Sequence, residues 1–233
     1  MPMPRPEQND TALYRLMGWL SPSYPVGAFS YSHGIEFAVE DRLVRDRETL
    51  TDWIATVLTL STGRADGVFL RETVIRAAAG DREGLAEIAA LAAAFQGSAE
   101  LAAESLGQGA AFVIATRAAW PAPLLDEAVD WIDSPIAYPV AVGLACAAHR
   151  IPLKASMLAY LHGFAANLVS AGVRLIPLGQ TDGQICLRML EPVACNARDA
   201  ALSTPLDELG TATPMAEWTS MQHETQYTRL FRS

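Results

Sequence analysis

From Thr11 to Leu230, apolar residues recur every three or four positions almost without a break, and this rhythm limits the fold more than any other feature of the chain. Leu13, Leu16, Met17 and Leu20 begin it, and Trp53, Ile54, Val57, Leu58 and Leu60 continue it. Strand-type alternation is nearly absent and no Asn-Gly hairpin signal occurs. The pattern predicts an all-α chain, a single-domain bundle of about ten helices. The first helix starts at Thr11 and is stopped by Ser21-Pro22 and Tyr24-Pro25, and a short one follows over Gly34 to Val39. Thr49 or Thr51 is the expected cap of the next. Further helices are expected over Asp66–Ala79, Asp81–Phe95, Ser98–Ala119, Leu124–Ile132, Ile136–Ala148, Ser156–Ser170 and Met215–Leu230, with Gly80 as a C-terminal turn. The expected organisation is a flexible arm over residues 1–9, a helical domain over 10–222, and a tail over 223–233 that is ordered by partner binding.

Charge and composition remove several function classes. Seventeen basic residues against 26 acidic ones leave a net charge of −9, the wrong sign for a nucleic-acid footprint or an anionic membrane surface. Lys154 is the only lysine and no G-x-x-x-x-G-K-[ST] surrounds it, so a P-loop nucleotidase is excluded. The uncharged run Ala155 to Val173 approaches the length of a membrane span. Ser156, His162, Asn167 and Ser170 interrupt it, which suits a buried helix better. Cys146, Cys186 and Cys195 form no C-x-x-C, and MPMPRPEQND has no apolar leader, so a reduced cytoplasmic setting is expected.

No constellation for chemistry stands out. The segment Gly27 to Gly34 lacks the G-x-S-x-G spacing of a nucleophile elbow and reads as a tight connector packed by Phe29 and Tyr31. A small helical hydrolase would have to use Ser30, His33 and a carboxylate. His33 and Glu36 are spaced to share a helix face, but two ligands do not make a metal site. His149 and His162 lie in apolar surroundings, and His223 is a weak candidate for nickel or zinc. The acidic groups Asp81, Glu83, Glu87 and Asp126, Glu127, Asp130 have the spacing of solvated helix faces. The expectation is a non-enzyme.

Two segments carry more specific polar groups than packing needs. Leu175 to Gln184 holds two glycines, two glutamines and Asp182 after a buried helix, with Thr181 or Asp182 as possible caps of the helix that follows. Met221 to Ser233 concentrates Tyr227, Arg229 and Phe231, which are hot-spot residue types at interfaces.

These segments, together with Ser21-Pro22-Ser23-Tyr24-Pro25-Val26-Gly27-Ala28-Phe29-Ser30-Tyr31-Ser32, Tyr138-Pro139-Val140-Ala141 and His223-Glu224-Thr225-Gln226-Tyr227, resemble the urease accessory protein UreF family in content and order. Glu104-Ser105 and Gly107 are further landmarks in the alanine-rich middle. Tyr24, Gly172 and Gln222 depart from the family pattern, and Gln222 removes a positive group from the tail. The resemblance implies a dimeric all-helical adaptor without catalysis of its own. Its partners would be UreD (also called UreH), the GTPase UreG and apo-urease, with no cofactor bound stably and nickel handled by the complex. It further implies partner-binding roles for Arg174, Gln180, Asp182 and Gln184, and for His223, Glu224, Tyr227, Arg229 and Phe231. A nickel-binding chaperone that carries the ion itself is the rival reading. A passage for nickel, lined by groups such as Asn167 and Ser170, is compatible with either.

Overall fold

A computed structural model describes residues 8–233, and the expected arm over residues 1–9 falls mostly outside them. Among the described residues there are eleven α-helices, two 3-10 turns and no strand. The helices are α1 (Gln8–Trp19), α2 (Ile35–Glu40), α3 (Arg47–Leu60), α4 (Thr62–Ala79), α5 (Arg82–Ala94) and α6 (Ala99–Ala119), then α7 (Pro123–Asp130), α8 (Tyr138–Ala148), α9 (Leu153–Leu175), α10 (Gln180–Ser203) and α11 (Pro214–His223). No helix among the described residues is long and apolar enough to cross a membrane.

Most element ends follow from local chemistry. Asp81 and Ser98 accept backbone N–H bonds at the starts of α5 and α6, and Gly80 closes α4 at a φ of 71°. The cap of α3 is Asp46, not Thr49 or Thr51. Asp46 accepts from the Thr49 amide while the Thr49 hydroxyl accepts from the Asp46 amide, a reciprocal box that puts Thr49 one turn inside. The turn after α9 is shorter than expected, because Gly179 already caps α10 and Asp182 reaches back to its amide. The expected helix Met215–Leu230 ends at His223. Beyond it, the amides of Leu230, Phe231 and Arg232 donate to Glu36 and to the Ser30 carbonyl, which removes them from any helical ladder.

The centre of the bundle is α8, buried without interruption from Pro139 to Ala147 and laid against α4 and α6. Gly143 permits this closeness, since a Cβ there would stand 2.8 Å from Thr73 Cβ. One apolar cluster joins α1, α3, α9 and α10, with Trp19 fully buried and edge-on to Phe112 and Trp120 at 6.3 and 6.0 Å. The other joins α4, α5, α7 and α8. Arg15 donates to His149 Nδ1 at 2.9 Å, so His149 donates from Nε2 to the Trp120 carbonyl at 3.0 Å and ties α1 to the end of α8. Burial lowers the imidazole's pKa, in keeping with that neutral form.

Candidate functional site

The tail over residues 223–233 returns across α2 and α6 and is held by a row of buried polar side chains. Glu36, in the first turn of α2, accepts the amides of Leu230 at 2.6 Å and Phe231 at 2.9 Å. Gly34 caps that turn at a φ of 77°, and a Cβ there would stand 2.9 Å from the Ser220 amide of α11. His223 is fully buried, with Nε2 3.0 Å from Glu36 Oε2 and Nδ1 2.7 Å from Glu100 Oε2. Glu100 also accepts from Arg229 at 3.0 Å. At the far end Ser233 is buried: its carbonyl oxygen accepts from the amide and hydroxyl of Ser32, and its hydroxyl donates to Glu104 at 2.8 Å.

Below this row the polar groups continue into the core. His33 Nδ1 lies 3.4 Å from Glu104 and its Nε2 3.0 Å from the Thr62 hydroxyl. Tyr160 donates to Asp66 at 2.6 Å. Burial pushes the Asp66 carboxyl up to about 7, with the charge of Glu104 adding and the Tyr160 bond and His33 opposing. A cavity of about 200 Å³ adjoins the cluster, lined by Glu104, Gln108, Tyr138 and Tyr160 and by Asn167 and Ser170.

Arg174 links the tail to α9. Its guanidinium lies 3.7 Å from the ring centre of Phe29 and 4.3 Å from that of Phe231, and it donates to the Phe29 carbonyl at 3.0 Å. Arg174, His223, Arg229 and Phe231 are therefore brought together, with His223 and Phe231 buried, Arg174 half-buried and Arg229 exposed. Phe231 is buried and packs beneath Arg174 of its own chain. The donors and acceptors just described that hold the tail belong to this same chain. Tyr227 and Leu230 are left fully and largely exposed, with Phe29 65% exposed beside Arg174. Glu224 is also exposed.

Gln180, Asp182 and Gln184 are elsewhere, on the first turns of α10. Asp182 pairs with Arg47 of α3 at 2.9 Å, and Gln180 and Gln184 are exposed. His33 and Glu36 do not share a helix face. His33 precedes α2 with a φ of 56° and turns to Glu104, while Glu36 turns to His223. Ser30 donates to the Gly27 carbonyl at 2.8 Å and the His33 ring contacts Glu104 and Thr62 instead, so the serine hydrolase arrangement is not formed. Both ring nitrogens of His223, the candidate metal ligand, face carboxylates. No group of three or more His, Cys, Asp or Glu side chains able to hold a metal occurs among the described residues.

Glu100, Asp66 and Tyr160 were not singled out by sequence. Asp66 carried no distinct signal, since it opens the expected helix over Asp66–Ala79 with Arg64 before it and Glu72 after it. Glu100 carried none, since its partners lie more than a hundred residues away along the chain.

The model of the UreF family matches residues 44–191. A protein of Rhodopseudomonas palustris strain BisB5 named urease accessory protein UreF is 50% identical over 230 residues, 99% of this chain and 95% of its own length. A protein of the same name from Granulibacter bethesdensis is 50% identical over 230 residues, 99% of this chain and 98% of its own. One from Bradyrhizobium diazoefficiens is 50% identical over 222 residues, covering 95% and 92%.

Proposed function

This chain belongs to the UreF family of urease accessory proteins, and on that premise we propose that it works in urease maturation as a non-catalytic adaptor. In this reading it binds UreD (UreH) and recruits the GTPase UreG to apo-urease. GTP hydrolysis by UreG then accompanies nickel delivery to the urease active site. The adaptor acts in the cytoplasm as a homodimer. Nickel is cargo of the assembly and is not retained by this chain.

One observation carries the reading most directly. Tyr227 and Leu230 project from a backbone pinned on both sides, at Glu36 and beneath Arg174, with the exposed Phe29 next to it. Apolar and aromatic side chains displayed on a preorganised backbone lose little conformational freedom when a partner covers them, which is how interface hot spots gain affinity. The exposed Gln180 and Gln184 form a separate polar patch at the start of α10, suited to a second contact.

The test is an affinity pull-down of tagged full-length chain from native lysate, read by mass spectrometry, alongside Tyr227→Ala/Leu230→Ala. Recovery of UreD, UreG and urease subunits by the native chain, with a marked drop for the double variant, is expected. Failure of the native chain to recover any of the three overturns the adaptor reading.

A further inference from the structure

A second exposed apolar face runs along α11. Thr219, Ser220 and His223 bury one side of that helix, and Met215, Trp218 and Met221, three residues apart, form an exposed stripe down the other. Trp218 stands edge-on to Phe37 of α2 at 5.4 Å. At the start of α11 the stripe runs into a groove of about 380 Å³ shared with α3, whose walls include Leu43, Trp53, Val57 and Met215. In the same walls Trp53 Nε1 and Thr213 Oγ1 are buried without hydrogen-bond partners, an unusual cost for an open groove.

The rim of this face carries mostly one sign of charge. Glu40 and Asp41 at the end of α2, Asp52 of α3, and Glu217 and Glu224 at the two ends of α11 flank it. None of these carboxylates forms an ion pair among the described residues. On the turn between α2 and α3, Arg45 and Arg47 are paired with Asp46 and Asp182, which leaves Arg42 alone against the five. Methionine side chains adapt to the apolar shape that enters, and a carboxylate rim orients a cationic partner and turns away an acidic one. A second copy of this chain, at a net charge of −9, would set carboxylates against carboxylates.

We propose that the face between α3 and α11 is a docking site for an amphipathic helical segment of a partner chain, apolar on one side and flanked by lysine or arginine. The proposal does not rest on the adaptor reading, and its test needs only this chain and a peptide.

The probe is a labelled synthetic peptide of about five helical turns, leucine on one face and lysine on the other, titrated with the full-length chain and read by fluorescence anisotropy. Saturable binding is expected. The same peptide with glutamate for lysine, and a scrambled lysine peptide without the helical stripe, are expected to bind at least roughly tenfold more weakly. Met215→Ser/Trp218→Ser and Asp41→Lys/Asp52→Lys, all at exposed positions, are each expected to weaken binding by roughly tenfold or more. Glu127→Lys/Asp130→Lys on α7 changes the net charge equally and is expected to leave the affinity as it was, which separates this face from general attraction to an acidic protein. Absent or unsaturable binding, equal affinity for the glutamate peptide, unchanged affinity in the variants of the face, or an equal loss in the α7 variant overturns the proposal. So does loss of a native oligomer in Met215→Ser/Trp218→Ser, measured by sedimentation, because it assigns the face to a second copy.

Discussion

Tyr160 donates a 2.6 Å hydrogen bond to the buried carboxyl of Asp66, fastening the middle of α9 to the first turns of α4. Burial raises the Asp66 pKa to about 7 from an ordinary value of 3.8. In the unfolded chain the group ionises near the ordinary value, so between these limits the native state holds a proton that the unfolded state has lost. Stability therefore falls as pH rises through this window and levels off above it. Asp66→Asn keeps an oxygen to accept from Tyr160 and has no proton to lose. Relative to the native chain it is expected to gain roughly 3 kcal/mol between about pH 5 and pH 8, read from urea unfolding at both values.

Arg71 is the buried cation that closes the end of α10. It donates to the carbonyls of Ala201 and Thr204 at 2.6 and 2.8 Å and pairs with Glu72 at 2.7 Å. Arg71→Ala leaves two buried carbonyls without donors and is expected to lower stability by about 2–4 kcal/mol in equilibrium unfolding. Arg71→Lys, with one compact head group, is expected to recover only part of that.

Gly109 of α6 faces the backbone just before α8, where an added Cβ would land on the Ile136 carbonyl oxygen. Backbone cannot rotate aside as a side chain does. Gly109→Ala is expected to cost about 3 kcal/mol, at the upper end of ordinary overpacking, measurable as a lowered Tm.

The Arg174–Phe231 contact is open to a double-mutant cycle. Arg174→Ala, Phe231→Ala and the pair together, read by exchange in the tail, are expected to show coupling of about 0.5–2 kcal/mol. Arg174→Lys should not restore it, because the planar guanidinium lies between two rings at 3.7 and 4.3 Å. Unchanged tail exchange in Arg174→Ala would show that the stack does not hold the tail.

Asp182 separates stability from function. Its pairing with Arg47 is partly exposed and its cap at Gly179 is ordinary, so Asp182→Ala is expected to cost only about 1 kcal/mol. If the start of α10 is a partner surface, urease activation in cells falls by more than this loss allows. Native activation levels with a folded variant would remove Asp182 from that role.

The sequence by itself determined the all-helical class and most helix limits, because caps, Gly80 and the three-to-four-residue rhythm act within one or two turns of chain. It also carried the family, through motifs at Ser21–Ser32 and His223–Tyr227 whose order could be read directly. The seat of the tail was decided only in three dimensions. Residues Glu36, Glu100, His223 and Arg229 come from three helices and the closing segment, and the same buried carboxylates that shorten α11 turn Phe231 inward. Local periodicity cannot distinguish a helix that continues to Leu230 from one that stops at His223. The choice depends on acceptors nearly two hundred residues earlier, which are in place only once the core has packed.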